Sequence, residues 1–482
     1  MREFRRALLG FGVLASSLLG ACQDKTDAGT TPDPVDTDTD TDVVTPSVSD
    51  CDASNPDHTV GLIYCDGGAS PGYTLFAPNE SKTTYLIDLY GQKVHSWVSD
   101  YSPGESVYLE DNGHLLRTAK DTSGTPFMAG GAGGRVEEFD WDGTLVWSYT
   151  YKSSTHLQHH DIERLDNGNI LMVAWEVKTE AEAEAAGRDP STVSSQGLWA
   201  NHVIEVDPSD DSIVWEWHLW DHLIQDFDPG MDNYGVIAEH PERVDINLRL
   251  DTGGPGGGGS DWNHVNGISY NPSLDQIVLS AHHQDEIWII DHNTTTEEAA
   301  GPAGDLLYRW GNPKNYGAGD SGDQQLSGQH DPTWVADGFS GAGNILLFNN
   351  GVSWGYSAAF EITPPLQPDG SYALTAGQAY EPSGPTWSYE DPGAFYSSFI
   401  SGVQRLPNGN TLICSGADGW FFEVTPDGAL VWEYINPVSA SGPVSQGDLV
   451  GQDHRTFRAD RYPMDYPAFE GRDLSQKGVI EK

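Results

Sequence analysis

Residues 160–175, HDIERLDNGNILMVAW, hold the pattern that decides the fold: an apolar strand, an Asn-Gly turn and a second apolar strand. Residues 401–416, SGVQRLPNGNTLICSG, repeat it. Asn-Gly between alternating apolar runs is the strongest short-range signal for a β-hairpin. The second copy continues as WFFEVTPDGALVWEY, which matches VEEFDWDGTLVWSY at residues 136–149. This repetition predicts a fold built from copies of one antiparallel unit.

A tryptophan beside an acidic or aromatic residue closes each copy of the unit. The markers are Trp97, Trp147, Trp215, Trp310, Trp387 and Trp432, spaced about 45 to 95 residues apart. Such spacing suits four-stranded antiparallel blades with insertions. The sequence therefore predicts an all-β fold, a six-bladed β-propeller over residues 51–440, with a C-terminal extension, residues 441–482, packed on it. A β-sandwich is the alternative, but it would not readily explain six copies.

The N-terminal residues predict export. Residues 1–21 have a basic start and a short apolar run, which is typical of a signal peptide. The run ends in Leu-Gly-Ala-Cys, which resembles a bacterial lipobox with Cys22 as the lipidated residue; an ordinary cleaved signal is the alternative. Residues 22–50 are acidic, rich in Thr, Asp and Pro, and predict a disordered tether. We therefore expect a protein anchored by lipid to the bacterial cell envelope, at the outer membrane or cell surface and facing the periplasm or the exterior.

Three further cysteines fit this compartment. Cys51 and Cys65 lie close together after the tether, and in an exported protein they predict a disulfide. Cys414 lies in an apolar strand pattern and is expected to be a buried thiol. The chain contains no CxxC, so thioredoxin-like redox chemistry and zinc ribbons are unsupported.

The charge balance excludes some partners. The 482 residues include 24 basic and 72 acidic side chains, a formal net charge of −48 at pH 7. Phosphate binding needs clustered Lys and Arg, so this balance argues against nucleic acid and against anionic membrane surfaces. We expect contact with a membrane only through the lipid at Cys22.

Histidines occur at corresponding starts of repeats. The third repeat reads QHHDIERL with His159 and His160, the fourth WNHVNGISY with His264 and Asn266, and the fifth GQHDPTWV with His330. If each repeat's first strand lines the channel of the propeller, three consecutive blades direct imidazoles towards one channel mouth. The sixth and second repeats have Ser and Glu at this position, so packing does not require a histidine there.

Convergent imidazoles permit general acid–base chemistry, nucleophilic catalysis or metal binding. Asp161 and Asp331 each follow a histidine directly. Neighbouring residues on a strand point to opposite faces, so we expect these carboxylates to bind the backbone rather than join the site. That expectation weakens the metal interpretation without removing it.

Four segments together resemble the bacterial arylsulfotransferases, the exported and cofactor-independent aryl sulfate sulfotransferases. They are HHDIERLDNGNIL, WNHVNGISYNPSLDQIVLSAHHQDEIWIID, QHDPTW with NILLFNNG, and the ending FRADRYPMDYPAFEG. The resemblance covers most of residues 70–470. It implies a six-bladed propeller, no metal, no cofactor, and transfer of a sulfuryl group from a phenolic sulfate ester to a phenol through a sulfated histidine.

Carried over by motif, the resemblance implies His330 as nucleophile, with His264 and His160 as the other catalytic histidines. The family usually has an arginine where this chain has His282, next to His283. We expect His282 to take the arginine's catalytic place; Arg458 or Arg461 as a substitute cation, or a different reaction, are the alternatives. His159, Asn266 and His283 are expected to contact substrate.

Two other classes of function stay open at this stage. A non-catalytic propeller displayed on the surface could bind a ligand or a protein partner, because propellers host many functions. A metal- or quinone-dependent propeller oxidoreductase is the third possibility, although the sequence has no vicinal cysteine pair and no cofactor repeat signature.

Overall fold

Thirty short strands and very little helix make up the computed structural model, which describes residues 51–248, 259–448 and 450–482. The predicted signal peptide, Cys22 and the tether lie outside the described residues. In chain order the strands up to the first helix are β1 (Ala53–Ser54), β2 (Gly61–Cys65), β3 (Tyr73–Pro78), β4 (Thr83–Ile87), β5 (Lys93–Val98), β6 (Pro103–Leu109), β7 (Leu115–Lys120), β8 (Gly134–Phe139), β9 (Leu145–Thr150), β10 (His156–Arg164) and β11 (Ile170–Lys178).

The middle of the chain continues with two short helices among the strands. Its elements are α1 (Glu180–Ala185), β12 (Leu198–Asp207), β13 (Ser212–His218), β14 (Leu223–Ile224), β15 (Val244–Asp245), β16 (Val265–Asn271), β17 (Gln276–Ala281), β18 (Glu286–Asp291), α2 (Thr296–Ala299), β19 (Tyr308–Trp310), β20 (His330–Trp334), β21 (Ile345–Asn349), β22 (Ala358–Ile362) and β23 (Trp387–Glu390). Both helices begin with a capping box, Thr179 with Glu182 and Thr295 with Glu298.

The last strands are β24 (Gly402–Arg405), β25 (Thr411–Ser415), β26 (Trp420–Val424), β27 (Leu430–Ile435), β28 (Val438–Ser439), β29 (Gly442–Pro443) and β30 (Thr456–Tyr462). Single 3₁₀ turns occur at Pro190–Thr192, Leu219–Asp221, Ile237–Glu239, His282–Gln284, Pro302–Gly304, Pro313–Tyr316, Gly416–Asp418, Gln452–His454 and Pro467–Phe469. None of the helices in these described ranges is long and apolar enough to cross a membrane.

The strands form antiparallel sheets in a propeller-like arrangement, which confirms the predicted all-β class. Three sheets have four strands: β16 to β19, β20 to β23, and β30-β3-β4-β5. The sheets do not separate into the six predicted blades, however. Strands β6 to β13 share one eight-stranded sheet, because β6 and β10 approach closely enough for a parallel bridge between Glu105 and His160. A further sheet has six strands, because β1 and β2 extend β24 to β27, and β14-β15 and β28-β29 form two small two-stranded sheets.

The C-terminal residues do more than pack on the surface. Strand β30, within the predicted extension 441–482, pairs antiparallel with β3, from Tyr73↔Tyr462 to Pro78↔Thr456. The last strand of the chain thus completes the sheet that the first strands begin. No hairpin turn links β30 to β3, so the repeat pattern did not indicate this pairing.

The tryptophans that mark the repeats join each unit to the next. Each indole Nε1–H donates a hydrogen bond to the connection between the third and fourth strands of the following unit. The bonds run from Trp97 to Asp140 O (3.0 Å), Trp147 to Asp211 Oδ1 (2.9 Å), Trp215 to Thr294 Oγ1 (3.2 Å), Trp310 to Pro382 O (2.7 Å), Trp387 to Pro426 O (3.0 Å) and Trp432 to Leu89 O (2.9 Å). The last bond returns to the first sheet, so the chain of contacts is closed.

A disulfide and a buried thiol account for the described cysteines. Cys51 and Cys65 are bonded, with Cα atoms 5.6 Å apart, which confirms that prediction. Cys414 is free and buried, also as predicted.

Replacing Trp432 by Phe tests the ring-closing contact. The change removes the indole N–H, leaves the carbonyl of Leu89 without its donor and shrinks a fully buried side chain. We expect the free energy of unfolding to fall by about 2 to 3 kcal/mol, measured by urea denaturation. Trp354→Phe, at a partly exposed position, is the control and should change stability by less than about 0.5 kcal/mol. Equal stability of the two variants would contradict a role for the indole in closing the ring.

Candidate active site

Bulges in three neighbouring inner strands place the predicted histidines. Regular pairing lapses between Gln158 and Ile162 in β10, between Val265 and Ile268 in β16, and between His330 and Thr333 in β20. Left-handed backbone occurs in or next to each bulge, with φ of 51° at His160, 50° at His264 and 57° at Asp331. A bulge breaks the strict alternation of side chains. As a result, the side chains of His159 and His160 both join the same cluster, although the two residues are adjacent in sequence.

Six imidazoles meet at this point. Ring centres are 4.6 Å apart for His160 and His264, 5.3 Å for His264 and His282, and 5.1 Å for His282 and His330. His159 lies 5.1 Å from His160, and His283 stacks on His264 at 4.7 Å. The structure therefore brings together all six histidines that the sequence singled out.

Apolar and glycine residues enclose the cluster. Trp175 stacks on His159 with ring centres 3.8 Å apart, and Phe457 lies 6.1 Å from His160 and 6.3 Å from His330. Gly131 covers His160: its carbonyl accepts the His160 backbone N–H, and a Cβ added there would stand 2.1 Å from the imidazole. Only glycine fits at that position, where φ is +74°.

Burial keeps five of the imidazoles neutral. Burial, with a smaller contribution from the neighbouring His264, lowers the pKa of His330 to about 3 and that of His283 to about 4. For the same reasons the pKa values of His159, His160 and His282 lie well below the ordinary value for histidine. A neutral imidazole has a nitrogen lone pair available, which a nucleophile or a base requires.

An asparagine fixes which nitrogen of His330 has the lone pair. Nδ2 of Asn350 donates to the carbonyls of Ser397 (2.8 Å) and Ile400 (2.9 Å), so its Oδ1 faces His330. Nδ1 of His330 lies 2.6 Å from that oxygen and must therefore donate. In the neutral ring the proton is on Nδ1 and the lone pair on Nε2.

A second asparagine fixes the positions of the protons on His159 and His160, and it leaves His160 with the tautomer opposite to that of His330. Oδ1 of Asn201 accepts the backbone N–H of Val265 (3.2 Å), so its Nδ2 donates to Nε2 of His159 (2.7 Å). His159 then has its proton on Nδ1 and donates it to Nδ1 of His160, 2.8 Å away. His160 is left with a proton on Nε2, which makes that nitrogen a hydrogen-bond donor.

A carboxylate that sequence reasoning missed orients His264. Oδ2 of Asp261 lies 2.5 Å from Nδ1 of His264. Burial alone would raise the pKa of Asp261, but His264 and its hydrogen bond bring it below the ordinary value. Asp261 stands three residues before His264, and that spacing is the signal that could have identified it. The pair suits general acid–base work, because an ionised carboxylate stabilises an imidazolium.

A metal ion is chemically possible at the same place. Asp261, His264 and His283 each offer one ligand atom, and these atoms lie within 4.8 Å of one another. Two histidines and a carboxylate are a ligand set that Zn²⁺ accepts. The ring stacking of His264 on His283 and the short contact to Asp261 hold the three groups together without an ion.

The arginines considered as substitutes for the family arginine are engaged elsewhere. Arg458 lies below the histidines and pairs with Asp161 (2.6 Å) and Asp331 (2.8 Å). Arg461 pairs with Glu423 and donates to Thr74, away from the cluster. His282 is the residue beside His330, and its Nδ1 is buried without a hydrogen-bond partner among the described residues.

Three predicted polar residues bind the backbone of neighbouring strands. Oδ2 of Asp161 accepts the N–H of Ile268 (3.0 Å), and Oδ2 of Asp331 accepts the N–H of Val403 (2.8 Å), which confirms their expected backbone role. Asn266 is fully buried, and its Nδ2 donates to the carbonyl of Gln329 at 3.0 Å. Oδ1 of Asn266 has no hydrogen-bond partner in the described part of the chain.

The sequence model of the Arylsulfotransferase (ASST) family matches residues 51–436, which is most of the chain. This protein therefore belongs to the arylsulfotransferase family. No curated protein matches it.

Solved structures show only distant likeness. A protein of unknown function from Bacteroides caccae is 11% identical over 81% of this chain and 99% of its own, with a TM-score of 0.43. A streptogramin B lyase is 10% identical over 86% of this chain and 96% of its own, with a TM-score of 0.38. The β-propeller domain of Cps50 (Swd1) from Myceliophteria thermophila is 11% identical over 78% of this chain and 89% of its own, with a TM-score of 0.39. Likeness at this level does not bear on activity.

The lowered pKa of His330 predicts a particular acid sensitivity. An unfolded histidine has a pKa of about 6.5, against about 3 in the folded protein. Between these values the unfolded chain binds a proton that the folded chain does not, so stability falls as pH falls. We expect the His330→Gln variant to lack this sensitivity. Between pH 7 and pH 4.5 its free energy of unfolding should therefore rise by about 2 to 3 kcal/mol relative to that of the wild type. Urea denaturation at both pH values measures the difference.

The exposed His58 provides the matched control. The free energy of unfolding of His58→Gln should equal that of the wild type at both pH values, because the ring of His58 lies at the surface. If His330→Gln also tracks the wild type, the His330 ring takes up a proton in the folded protein and its assignment as a neutral imidazole is wrong.

Proposed function

We propose that this protein transfers a sulfuryl group from a phenolic sulfate ester to a phenolic acceptor through a sulfohistidine at His330. The observation that supports this most directly is the imidazole of His330: neutral, held by Asn350 through Nδ1–H, and with its lone pair on Nε2 among five other histidines. Membership of the arylsulfotransferase family supports the class of reaction and of substrate. No metal, quinone or nucleotide enters the proposed reaction.

In the first step, Nε2 of His330 attacks sulfur, the N–S bond forms and the bond from sulfur to the phenolic oxygen breaks. The leaving phenolate takes a proton from Nε2 of His264, whose imidazolium the carboxylate of Asp261 stabilises. Oδ1 of Asn350 continues to accept Nδ1–H of His330, which supports the positive charge that the ring acquires.

In the second step, an acceptor phenol gives its proton to Nε2 of His264 and its oxygen attacks sulfur. The N–S bond of His330 breaks, the new sulfate ester leaves, and His330 returns to its neutral form. Nε2–H of His160 and the imidazole of His282 donate hydrogen bonds to the sulfuryl oxygens in transit. We assign His159, Asn266 and His283 to positioning these groups and the substrate.

We further propose that the strands of these sheets form six propeller blades, with the eight-stranded sheet counted as two. The two antiparallel four-stranded halves of the eight-stranded sheet, and the closed series of six indole contacts, support this count. The Cys51–Cys65 disulfide supports a location outside the cytoplasm. Anchoring through Cys22 would then place the reaction at the cell envelope.

The direct test is release of nitrophenolate from a nitrophenyl sulfate with a phenol acceptor, with and without chelator. We expect release that survives chelation and falls by at least about 10³-fold in His330→Ala. Intact mass after donor alone should show one added SO₃ group on the wild type and none on His330→Ala, with His58→Ala as a surface control that retains both. Release abolished by chelator would favour a metal at Asp261, His264 and His283, and no release with any acceptor would favour a binding module.

The place of His282 has its own test. Removal of one donor to a developing charge typically costs about 10² to 10³-fold in turnover, and we expect a loss of that size in His282→Ala. Arginine presents a charged, two-pronged donor, so His282→Arg should retain more activity than His282→Ala. If His282→Ala turns over an aryl sulfate at the wild-type rate, His282 does not replace the family arginine.

A further inference from the structure

A second group of histidines lies on the other face of the strands that support the active site. Neighbouring residues on a strand point to opposite faces. Trp175 and Asn201, on β11 and β12, face His159, whereas the next residues on these strands, Glu176 and His202, face away from it. His218 on β13 is directly opposite His202. These three residues take no part in the proposed reaction.

The three side chains already bring their possible ligand atoms close enough together to hold a metal ion. One nitrogen of each imidazole and one oxygen of Glu176 lie within 4.8 Å of one another. Nδ1 of His218 and Oε1 of Glu176 are 3.2 Å apart. Two ligands bound tetrahedrally to one Zn²⁺ stand roughly 3.3 Å apart, given metal–ligand bonds of about 2.0 Å. This pair therefore already has the spacing of metal ligands.

His202 supplies the observation that points to a ligand. Its side chain is 1% exposed, its Nε2 is 3.0 Å from the hydroxyl of Tyr151, and its Nδ1 is buried with no hydrogen-bond partner among the described residues. With the proton on Nε2, donated to Tyr151, the lone pair lies on Nδ1. A buried nitrogen without a partner is costly, and a bound cation would satisfy it.

The remaining polar atoms of the group are held as metal ligands usually are. A ligating histidine normally donates its second N–H to an oxygen, which fixes the ring. Here Nε2 of His218 faces Glu216 at 3.4 Å, and Oε2 of Glu176 pairs with Lys178 at 2.8 Å. The side chains of His218 and Glu176 are 28% and 15% exposed, which leaves the group open to solvent for entry of an ion and for a water ligand.

We propose that Glu176, His202 and His218 form a binding site for a divalent transition metal ion, with Zn²⁺ as the fitting ion. Two imidazoles, one carboxylate and one water make a four-coordinate set that this ion accepts. The ion would tie three adjacent strands, β11, β12 and β13, to one another and, through Tyr151, to the residue that directly follows β9. The site is separate from the reacting histidines, so the ion stabilises the scaffold and does not act on substrate.

Zinc binding to chelator-treated full-length protein tests the proposal, by equilibrium dialysis and thermal unfolding. We expect one Zn²⁺ per chain and a rise in melting temperature, with affinity reduced at least about 100-fold in Glu176→Gln and His218→Gln, and about 10-fold in Tyr151→Phe. His218 is partly exposed, so its variant should fold even if a His202 variant does not. Tetrahedral Co²⁺ absorption in the wild type, lost in His218→Gln, would identify the ligands.

Asp261→Asn is the matched variant for the competing site at the reacting histidines. Zinc binding retained in Asp261→Asn and lost in His218→Gln supports the proposal. Binding lost in Asp261→Asn and retained in His218→Gln overturns it, as does the absence of any saturable binding. Because nitrophenolate release by the chelated wild type tests the sulfuryl transfer separately, failure of either proposal leaves the other standing.

Discussion

The structure depends on a closed series of hydrogen bonds from indoles. Each sheet buries apolar faces against its neighbours, but apolar contact is not directional and does not by itself set the register between sheets. The indole N–H of each closing tryptophan does so, because it reaches one acceptor in the connection between the third and fourth strands of the next unit. Trp432 completes the series by bonding to Leu89, more than three hundred residues earlier in the chain. That contact and the pairing of β30 with β3 fix the circumference, and the inner strands must then converge.

The convergence of the inner strands brings two carboxylates close together, and the guanidinium of Arg458 pairs with both. Asp161 and Asp331 are both buried beneath the histidines, and each accepts a backbone N–H from the next inner strand. Arg458 lies between them and pairs with both. Breaking such a buried pair by removing one partner commonly costs about 3 to 5 kcal/mol. Arg458 is therefore committed to the two carboxylates beneath His160 and His330, and its guanidinium is not free to bind an anion.

The hairpins and the cluster were predictable from sequence for different reasons. Asn167-Gly168 and Asn408-Gly409 are local signals, and glycine there adopts φ of +89° in both turns, as the predicted hairpins require. His159, His160, His264 and His330 were predictable because they stand at corresponding starts of repeats, and His282 and His283 because they lie in a motif that resembles the family. Strand alternation alone would have separated His159 from His160. The bulge that reunites them has no local signature. Asn201 and Asn350, which set the protons on the rings, come from other strands and could not be paired with their histidines without the fold.

The proposed replacement of an arginine by His282 changes how an anion can be held at this site. The chain has a net charge of −48, so its overall field opposes an incoming sulfate ester. Five of the six imidazoles are neutral and bring no compensating charge. What they bring is fixed orientation, since Asn201, through His159, turns an N–H of His160 outward, and preorganised dipoles in a dry site cost no reorganisation when charge moves. The sulfuryl group, whose charge is spread over three oxygens during transfer, suits several oriented neutral donors better than a compact anion would. A histidine in the arginine's position is thus compatible with sulfuryl transfer, provided that the rings keep the orientations that their asparagine partners impose.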